Sequence, residues 1–409
     1  MELNYGPEYD EFRAEVRHFC ETEGKKTQSG AMRMGEHRPS AEAVDWQGKL
    51  IEAGYTARTI PKEYGGFGGE PDIVKSLIIQ EEFVATSTRA GIQNQGISML
   101  VPTLLEVGTE EQKLKYIKPT INGEMIWAQG YSEPGSGSDL ASLKTKAVVD
   151  GNNFVINGQK IWTSSAQFAD MCFILVRTEP EAPKHHGISY LLMPMDSEGL
   201  DVKPLVTMTG EAFFNEMFLT DVTIPITNIV GQRGEGWRVA NTTLKYERGM
   251  LGNPGMSATG IRGVADLMRD ETISGVRAID MPIYRDRLLK LQGRSLANKY
   301  HGLRLLSNEI NKEGFGVEAL IVKLSATYLA HEIYSLAVDV MGEFGTLYDG
   351  SIYQRRKDWM RQYLGSFMGI IGGGTSQIQK NVISERGLGL PREPLVRLDQ
   401  NGWDFLKKI

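Results

Sequence analysis

The hydrophobic periodicity of this chain changes twice, and the order of the changes limits the folds that the chain can adopt. From residue 1 to about 125, apolar residues recur at helical spacing. From about 126 to 229 they alternate, with many β-branched and aromatic residues and with turn signals such as Asn157-Gly158 between the runs. After Gly236 the helical spacing returns. We therefore predict an α+β fold with an N-terminal helical domain (1–125), a middle β domain (126–235) and a C-terminal helical bundle (236–409).

Several elements can be predicted individually from the same periodicity. Short amphipathic helices are expected at 72–85 and 110–117, and longer helices at 283–309 and 317–341. The predicted strands cover 153–157, 171–176 and 188–193.

The composition argues against several classes of protein. The 409 residues are 41% hydrophobic and 23% charged, with a formal net charge of −6, which is typical of a globular protein and does not attract nucleic acid or an anionic membrane. The two cysteines, Cys20 and Cys172, lack the paired spacing of metal or redox motifs, so we expect reduced core thiols and no metal site. The N-terminal segment is acidic and unlike a secretory signal, and no run of residues is apolar enough to cross a bilayer. A cytoplasmic location is expected.

Glu247 is a carboxylate at a position where a helix should be apolar. Trp237, Ala240, Leu244 and Glu247 fall at spacings of three and four, so they share one stripe of a predicted helix. Burial disfavours the charged form of a carboxyl group and brings it towards the range of a general base near neutrality. The alternative is a structural glutamate paired with a cation, for which the adjacent Arg248 is available.

Two segments of the β region have the residues of a ligand site. Gly130-Tyr-Ser-Glu-Pro-Gly-Ser-Gly-Ser-Asp139 offers N–H groups and hydroxyls to a polar, anionic ligand, although a plain hairpin loop has a similar composition. In Asn157-Gly-Gln-Lys-Ile-Trp-Thr-Ser-Ser165, Trp162 is suited to cover a flat heterocycle while the hydroxyls of Thr163 and Ser164 bond its edge. A core tryptophan is the alternative there.

A third candidate segment lies near the C-terminus. Ile371-Gly-Gly-Gly-Thr-Ser-Gln-Ile-Gln-Lys380 joins three glycines to the start of a helix capped by Thr375 or Ser376. The backbone of such a turn can approach a ligand closely. A corner between two helices also needs some of these glycines, so the composition alone leaves both interpretations open.

In this order, the three segments resemble the acyl-CoA dehydrogenase family of flavoproteins, and the resemblance covers nearly the whole chain. It includes Ile60-Pro-Lys-Glu-Tyr-Gly-Gly66, Gly108-Thr-Glu-Glu-Gln-Lys113 and the Gly-Thr-Ser-Gln segment, and residues 131–139 fit the family's flavin signature. The resemblance implies the family's fold, with a β-barrel-like middle domain, FAD as cofactor and an acyl-CoA substrate. It also implies an electron-transfer flavoprotein as electron acceptor and a tetrameric assembly.

The resemblance also implies roles for individual residues. Those expected to contact the cofactor are Tyr131, Ser132, Trp162, Thr163, Ser164, Thr375 and Gln377. Ser138 is expected to lie along the entry of CoA.

The catalytic base departs from the commonest family pattern. Many members carry a catalytic glutamate just before Gly-Thr-Ser-Gln, where this chain has Gly373. A branch that includes isovaleryl-CoA and long-chain dehydrogenases has its base on the helix after the β domain, and Glu247 resembles that residue. The resemblance implies that Glu247 takes the α-proton while hydride passes from the β-carbon to flavin N5, giving a trans-2-enoyl-CoA. A ribityl hydroxyl and the backbone N–H of Gly373 would hold the thioester oxygen, and Arg248 would hold either Glu247 or the acyl region.

A second departure concerns the other half of FAD. A Gln-x-x-Gly-Gly-x-Gly segment, which in many members supports the pyrophosphate of a neighbouring subunit's FAD, corresponds here to Asp339-Val-Met-Gly-Glu-Phe-Gly345. Acidic side chains repel a pyrophosphate, and the usual Arg and Phe of an earlier helix are Met281 and Tyr284. Two explanations stay open. The chain forms either a heterotetramer with a related chain, similar to actinobacterial steroid side-chain dehydrogenases, or a homotetramer in which Arg285 or Arg287 replaces the lost cation.

Other functions are compatible with the same scaffold. An acyl-CoA oxidase, a flavin monooxygenase and a structural subunit of a heteromeric dehydrogenase are the alternatives, and the retained glutamate and flavin segments favour dehydrogenation. The glycines at 372–374 remove bulk near the acyl site, which favours a branched, cyclic or otherwise bulky acyl group.

Overall fold

The structure is a computed structural model that describes residues 6–24, 38–250, 254–310, 317–347 and 358–392. Side chains at 247–250, 254–256, 306, 309–310 and 317–318 lie outside this description. The chain divides into two compact units, one formed by Met1–Asn253 with Gly342–Gly365 and the other by Pro254–Met341 with Ser366–Ile409. The division into three domains at 125 and 235 stays a prediction.

The first unit contains six helices within its described residues. They are α1 (Pro7–Thr22), α2 (Ala41–Glu52), α3 (Ile73–Ala85), α4 (Val101–Val107), α5 (Glu110–Ile121) and α6 (Gly236–Met250).

Local capping residues explain where two of these helices begin. Asp72 accepts the backbone N–H of Lys75 at 3.0 Å and so starts α3. Thr109 and Gln112 bond each other's backbone N–H groups, both at 3.2 Å, in a capping box that starts α5. Both helices were predicted, and α5 continues four residues beyond the predicted end.

A mixed sheet of eight strands occupies the middle of the first unit. The strands are β1 (Trp127–Gly130), β2 (Lys146–Asp150), β3 (Asn153–Ser164), β4 (Met171–Arg177), β5 (Ile188–Pro194), β6 (Leu200–Leu205), β7 (Phe214–Pro225) and β8 (Ile229–Val230). Their order is β6-β7-β3-β2-β4-β5-β8, and β1 pairs in parallel with β4. The α+β prediction is confirmed.

Strand β4 is buried on both faces and joins two hydrophobic cores. Its residues Met171, Phe173 and Leu175 pack in the cluster that also contains residues of α4, α5 and α6. The alternate residues Cys172 and Ile174 point into a second cluster, formed by the other face of the sheet. A continuous apolar run is therefore required here, because each neighbour of a buried residue is buried as well.

The turn predicted at Asn157-Gly158 is wrong. Strand β3 runs through it to Ser164 and pairs with β7, with shifts in register after Ile156 and after Lys160. Gly158 has φ +155°. The glycine thus marks an irregularity within a long strand instead of the end of a short one.

Helix α6 packs against the first core along one stripe. Val239, Ala240 and Thr243 are fully buried, while Trp237 and Leu244 are partly buried against the same cluster. The predicted apolar stripe is thus present up to Leu244, and two further buried residues, Val239 and Thr243, each precede a predicted one by one position.

The second unit contains three long helices that pack on one another. They are α7 (Pro254–Asp270), α8 (Pro282–Ile310) and α9 (Val322–Met341), with a small hairpin of β9 (Thr272–Ile273) and β10 (Val276–Arg277) between the first two. Helix α10 (Trp359–Ile371) spans the boundary of the units, and α11 (Ser376–Val382) follows it. The helix predicted from residue 317 begins as a 3₁₀ turn and becomes α-helical only at Val322.

Both cysteines are buried free thiols, as expected from their spacing. Burial raises the pKa of the Cys172 thiol to about 12, so it stays protonated at neutral pH. Among the described helices, none combines the length and the apolar character needed to cross a membrane.

Candidate functional site

The structure brings the glycine-rich loop at 131–139 next to the end of β3. The carbonyl of Ser132 accepts the backbone N–H of Ile161 at 2.9 Å, which places Ser132 beside Trp162 in the next position of the strand. Tyr131 is buried with its ring edge on Phe173, at 5.9 Å between centroids. Two segments that the sequence singles out separately are therefore one local surface in the first unit.

A buried ion pair attaches this loop to the strand. The Lys160 ammonium is fully buried and donates to Glu133 Oε1 at 2.8 Å and to the Tyr131 carbonyl at 3.1 Å. Glu133 also accepts the backbone N–H groups of Lys144 at 2.6 Å and Thr145 at 2.9 Å. Burial alone would raise the pKa of Glu133, but the ammonium and these donors hold it below its usual range.

The loop is also closed on itself. Glu133 and Ser136 exchange backbone hydrogen bonds at 3.0 Å, and Ser136 Oγ donates to the Asp139 carbonyl at 2.9 Å. Ser138 and Asp139 are exposed, and Lys184 holds the pKa of Asp139 below its usual range. A cleft of about 310 Å³ lies between residues 133–136 of the loop and residues 158–159 of β3.

Trp162 has a conformation that its neighbours must impose. Its φ is +61°, in the left-handed region that a bulky residue rarely adopts, and it lies within the register shift between Lys160 and Thr163. The indole is 56% exposed and rests on the Phe214 ring edge, at 5.7 Å between centroids. The alternative of a core tryptophan is therefore excluded, and an aromatic face is presented to the surface beside Ser132.

The polar groups that follow Trp162 in the strand are only partly satisfied. Thr163 is buried, its carbonyl accepts Asn215 Nδ2 at 3.0 Å, and its Oγ1 has no hydrogen-bond partner among the described residues. Ser164 is half-buried at the end of β3. An exposed aromatic face next to an unsatisfied hydroxyl fits a flat heterocycle with polar edges, which is the chemistry of a flavin ring.

Glu247 and Arg248 belong to helix α6, but their side chains lie outside the described residues. Their predicted roles as base and substrate contact stay predictions. The described residue nearest in sequence is Tyr246, whose hydroxyl donates to the exposed Glu106 at 3.2 Å.

The third candidate segment forms a turn in the second unit. Gly373 and Gly374 have φ +62° and +91°, so both lie in the left-handed region where glycine is favoured. Thr375, not Ser376, caps α11 by accepting the N–H of Ile378 at 3.2 Å. Gln377 is exposed on the first turn of α11.

The acidic residue at the start of the altered pyrophosphate segment is paired within the second unit. Asp339 Oδ2 lies 2.7 Å from Arg287 Nη1, and the Tyr284 hydroxyl donates to the Asp339 carbonyl at 3.5 Å. Arg285 is exposed, as is Glu343 in the first unit. The positive charge of Arg287 is thus compensated inside the chain.

No role was predicted for Glu133 and Lys160, although both lie in the candidate segments. One signal was present. Counting alternate residues from Phe154 and Ile156 puts Lys160 on the inward face of the strand, where a lysine needs a buried counter-charge. Its partner is not deducible, because several carboxylates precede it in the chain.

Comparison with known families identifies the class of protein that this fold and site define. The N-terminal, middle and C-terminal domain models of acyl-CoA dehydrogenase match residues 6–124, 128–222 and 234–388. The chain belongs to the acyl-CoA dehydrogenase family of oxidoreductases, whose members generally bind FAD. The predicted family is confirmed.

Individual relatives extend over nearly the full length of the chain. Acyl-CoA dehydrogenase IpdE1 of Mycobacterium tuberculosis is 37% identical over 397 residues, covering 94% of this chain and 98% of that protein. The ChsE4-ChsE5 complex from the same organism has a chain with 32% identity and a TM-score of 0.79, covering 96% of this chain and 100% of that one. The Tcur3481-Tcur3483 steroid ACAD has a chain with 29% identity and a TM-score of 0.80 at the same coverage.

The ion pair yields a stability prediction with a defined pH dependence. Glu133→Gln leaves the buried Lys160 ammonium without its counter-charge and is expected to cost about 3–5 kcal/mol of unfolding free energy at neutral pH. Because the folded-state pKa of Glu133 is lowered, its stabilising effect is present above the unfolded pKa and is lost as the pH falls through the folded value. The difference between wild type and variant should therefore stay constant from about pH 7 to pH 5 and shrink as the pH falls below about 5, as measured by denaturant unfolding.

An exposed ion pair provides the control for this measurement. Asp201 and Lys203 form a pair in which both side chains are largely exposed, so Asp201→Asn should change the unfolding free energy little at any of these pH values. A Glu133→Gln deficit that stays constant from about pH 5 to pH 3 would contradict the assigned charge state of Glu133.

Proposed function

We propose that this chain catalyses the FAD-dependent α,β-dehydrogenation of an acyl-CoA thioester to the trans-2-enoyl-CoA. The observation that carries the proposal is the junction of the loop at 131–139 with the Trp162 end of β3, where an exposed indole adjoins the unsatisfied Thr163 hydroxyl. It occurs in a chain matched by all three family domain models.

The cofactor contacts follow from that junction and from the family pattern. We assign Tyr131, Ser132, Trp162, Thr163 and Ser164 of the first unit to the flavin ring. The family pattern also assigns Thr375 and Gln377 to the cofactor. Bound FAD would supply the hydride acceptor, at N5 of its ring. Ser138, exposed on the outer part of the loop, is assigned to the entry of CoA.

The proton chemistry is assigned to two places in the chain. Glu247 takes the α-proton of the thioester, and Arg248 binds the acyl region or orients Glu247. Gly373 offers its backbone N–H to the thioester oxygen, which becomes more negative as the α-proton leaves. A glycine keeps this donor while removing the side chain that many family members place there.

The assignment of the base predicts a specific loss of activity. Glu247→Gln keeps the size of the side chain and removes its basicity, so kcat should fall by about 10²–10⁴-fold. The measurement is the bleaching of flavin absorbance by a panel of straight, branched and ring-bearing acyl-CoAs, followed by turnover with a ferrocenium-type acceptor. It uses whichever form retains FAD, the chain alone or a co-expressed assembly.

Glu106→Gln is the matched control, because Glu106 contacts the same helix through Tyr246 and has no assigned role. It should retain wild-type bleaching. Loss of bleaching in Glu106→Gln, or its persistence in Glu247→Gln, would mean that the base is another residue. Turnover of wild type with oxygen alone, equal to that with the acceptor, would favour an oxidase.

The strained backbone of Trp162 predicts different effects on folding and on cofactor binding. Trp162→Gly relieves a left-handed non-glycine backbone, which costs about 1–3 kcal/mol, but it also removes a partly buried ring. Because the two effects offset each other, the stability of the cofactor-free protein should change little. Its affinity for FAD should fall about tenfold or more, since aromatic stacking contributes about 1–3 kcal/mol. Thermal unfolding and FAD titration measure the two effects.

Ser165→Gly is the control, because Ser165 has φ +58° but no aromatic ring. It should show the same relief of strain with unchanged FAD affinity. Unchanged affinity in Trp162→Gly would remove Trp162 from the cofactor site.

We assign the substrate to the class of bulky, ring-bearing acyl-CoAs. The glycines at 372–374 remove side chains near the proposed acyl site, and one similar structure is a steroid ACAD. In the panel above, ring-bearing thioesters should bleach the flavin faster than straight chains of equal carbon number. Faster bleaching by straight chains would refute this substrate class and leave the proposed reaction standing.

The proposed assembly is a heterotetramer with a related chain, acting in the cytoplasm with an electron-transfer flavoprotein as acceptor. The internal pairing of Arg287 with Asp339, and the exposed Glu343, leave this segment without the net positive charge that a pyrophosphate needs. A partner chain with the usual residues would supply it. Similar structures include the ChsE4-ChsE5 complex, which contains two different chains.

This assembly predicts incomplete FAD binding by the chain alone. Asp339→Gln with Glu343→Gly restores the common family residues and should raise the FAD content of the lone chain, measured as the ratio of flavin to protein absorbance. Asp286→Asn removes an exposed charge of α8 and should leave the FAD content of the lone chain unchanged. Full FAD occupancy of the wild-type chain purified alone would contradict the heterotetramer.

A further inference from the structure

The turn that carries Gly373 is held by two buried side chains. Its first glycine is tied to α10, since the N–H of Gly372 donates to the Met368 carbonyl at 2.7 Å. The next two glycines have positive φ. Glycine loses more conformational freedom than any other residue when it is fixed, so three in succession do not hold one geometry by themselves.

Lys323 of α9 supplies the first external contact. Its side chain is only 3% exposed, and its ammonium donates to the carbonyl of Gly374. A buried ammonium is costly unless it is hydrogen-bonded, and a bond from a charged donor is stronger than one between neutral groups. A lysine at this place in α9 therefore has a definite energetic link to the turn, 51 residues away in sequence.

Gln379 of α11 supplies the second contact. It is 7% exposed, and its Nε2 donates to the carbonyl of Gly373 at 3.4 Å. The same amide lies 2.7 Å from the position of a Cβ on Gly374, whose φ is +91°, so another residue there would displace the amide and strain the backbone. Because the peptide unit is planar, two fixed carbonyls orient two consecutive peptide planes.

We propose that Lys323 is a positioning residue for the reaction: it fixes the glycine turn so that the backbone N–H of Gly373 points at the thioester oxygen. This inference rests on the proposed function, in which that N–H stabilises the developing enolate. The Gly373 N–H lies between the anchored N–H of Gly372 and the anchored carbonyl of Gly373. A donor held in place before the reaction needs no reorganisation, and an error of about 1 Å in such a group costs about 100-fold in rate.

The main test is Lys323→Met, which keeps the length of the side chain and removes the ammonium. In the FAD-loaded protein, kcat should fall about 10- to 100-fold while KM changes by less than about threefold, because the enolate is affected more than the bound substrate. Lys323→Arg retains a charged donor and should recover part of the loss. Gln379→Leu removes the weaker contact and should lower kcat by a smaller factor, which keeps the test decisive if Lys323→Met fails to fold.

Two further readouts do not depend on turnover. One is the exchange of the substrate's α-hydrogens for deuterium in D₂O, measured by NMR with an acyl-CoA that has no β-hydrogen and so cannot lose hydride. Lys323→Met should slow this exchange by the same factor by which it lowers kcat. The other is amide hydrogen exchange of the 370–378 peptide in the cofactor-free chain, which should be faster in Lys323→Met.

Thr327→Val is the matched control for packing. Thr327 is buried on the same face of α9, and its hydroxyl donates to the carbonyl of Lys323 at 2.9 Å without contacting the turn. It should leave kcat and α-hydrogen exchange near wild type. Equal losses in Thr327→Val and Lys323→Met, or unchanged rates in Lys323→Met, would overturn the positioning role. A wild type that dehydrogenates no acyl-CoA would instead refute the proposed function.

Discussion

The buried ion pair between Lys160 and Glu133 is the interaction on which the candidate cofactor surface depends. Moving two charges out of water costs free energy, and here close pairing offsets that cost. Glu133 also accepts two backbone N–H groups, and Lys160 also donates to the Tyr131 carbonyl. The pair therefore attaches the loop to β3 at one definite place. Ser132 and Trp162 are neighbours because of that attachment.

In the second unit, too, buried polar side chains hold a flexible stretch of backbone, although the residues differ. Lys323 and Gln379 hold a glycine turn by its carbonyls, as Lys160 holds the loop by the Tyr131 carbonyl. In both places flexible, glycine-rich backbone is fixed by buried polar side chains from regular elements. Left-handed backbone at Trp162, Gly373 and Gly374 persists because the surrounding contacts determine it. Strain and buried charge thus occur in the segments that resemble the family's cofactor and substrate sites.

Individual elements show how far the sequence predicts this structure. Strand β4 was predicted to within one residue, because a run buried on both faces has a continuous apolar signature. Strand β3 was predicted to end at Asn157, since an Asn-Gly pair is a turn signal, but pairing with β7 carries the strand through it. Long-range pairing overrides such local signals. The exposure of Trp162 was likewise unpredictable, because it depends on a shift of register between two strands that are 50 residues apart in sequence.

The sequence by itself determined the order of helical and β segments, the family resemblance and the residues that carry it, because these follow from periodicity and from the identity of residues at fixed spacings. Only the tertiary structure decided which charges meet. Lys160 finds Glu133 27 residues earlier, and Arg287 of one helix compensates Asp339 of another. The physical reason is that a buried charge selects its partner by position in the fold, whereas the sequence contains many carboxylates and amines that would satisfy it equally well.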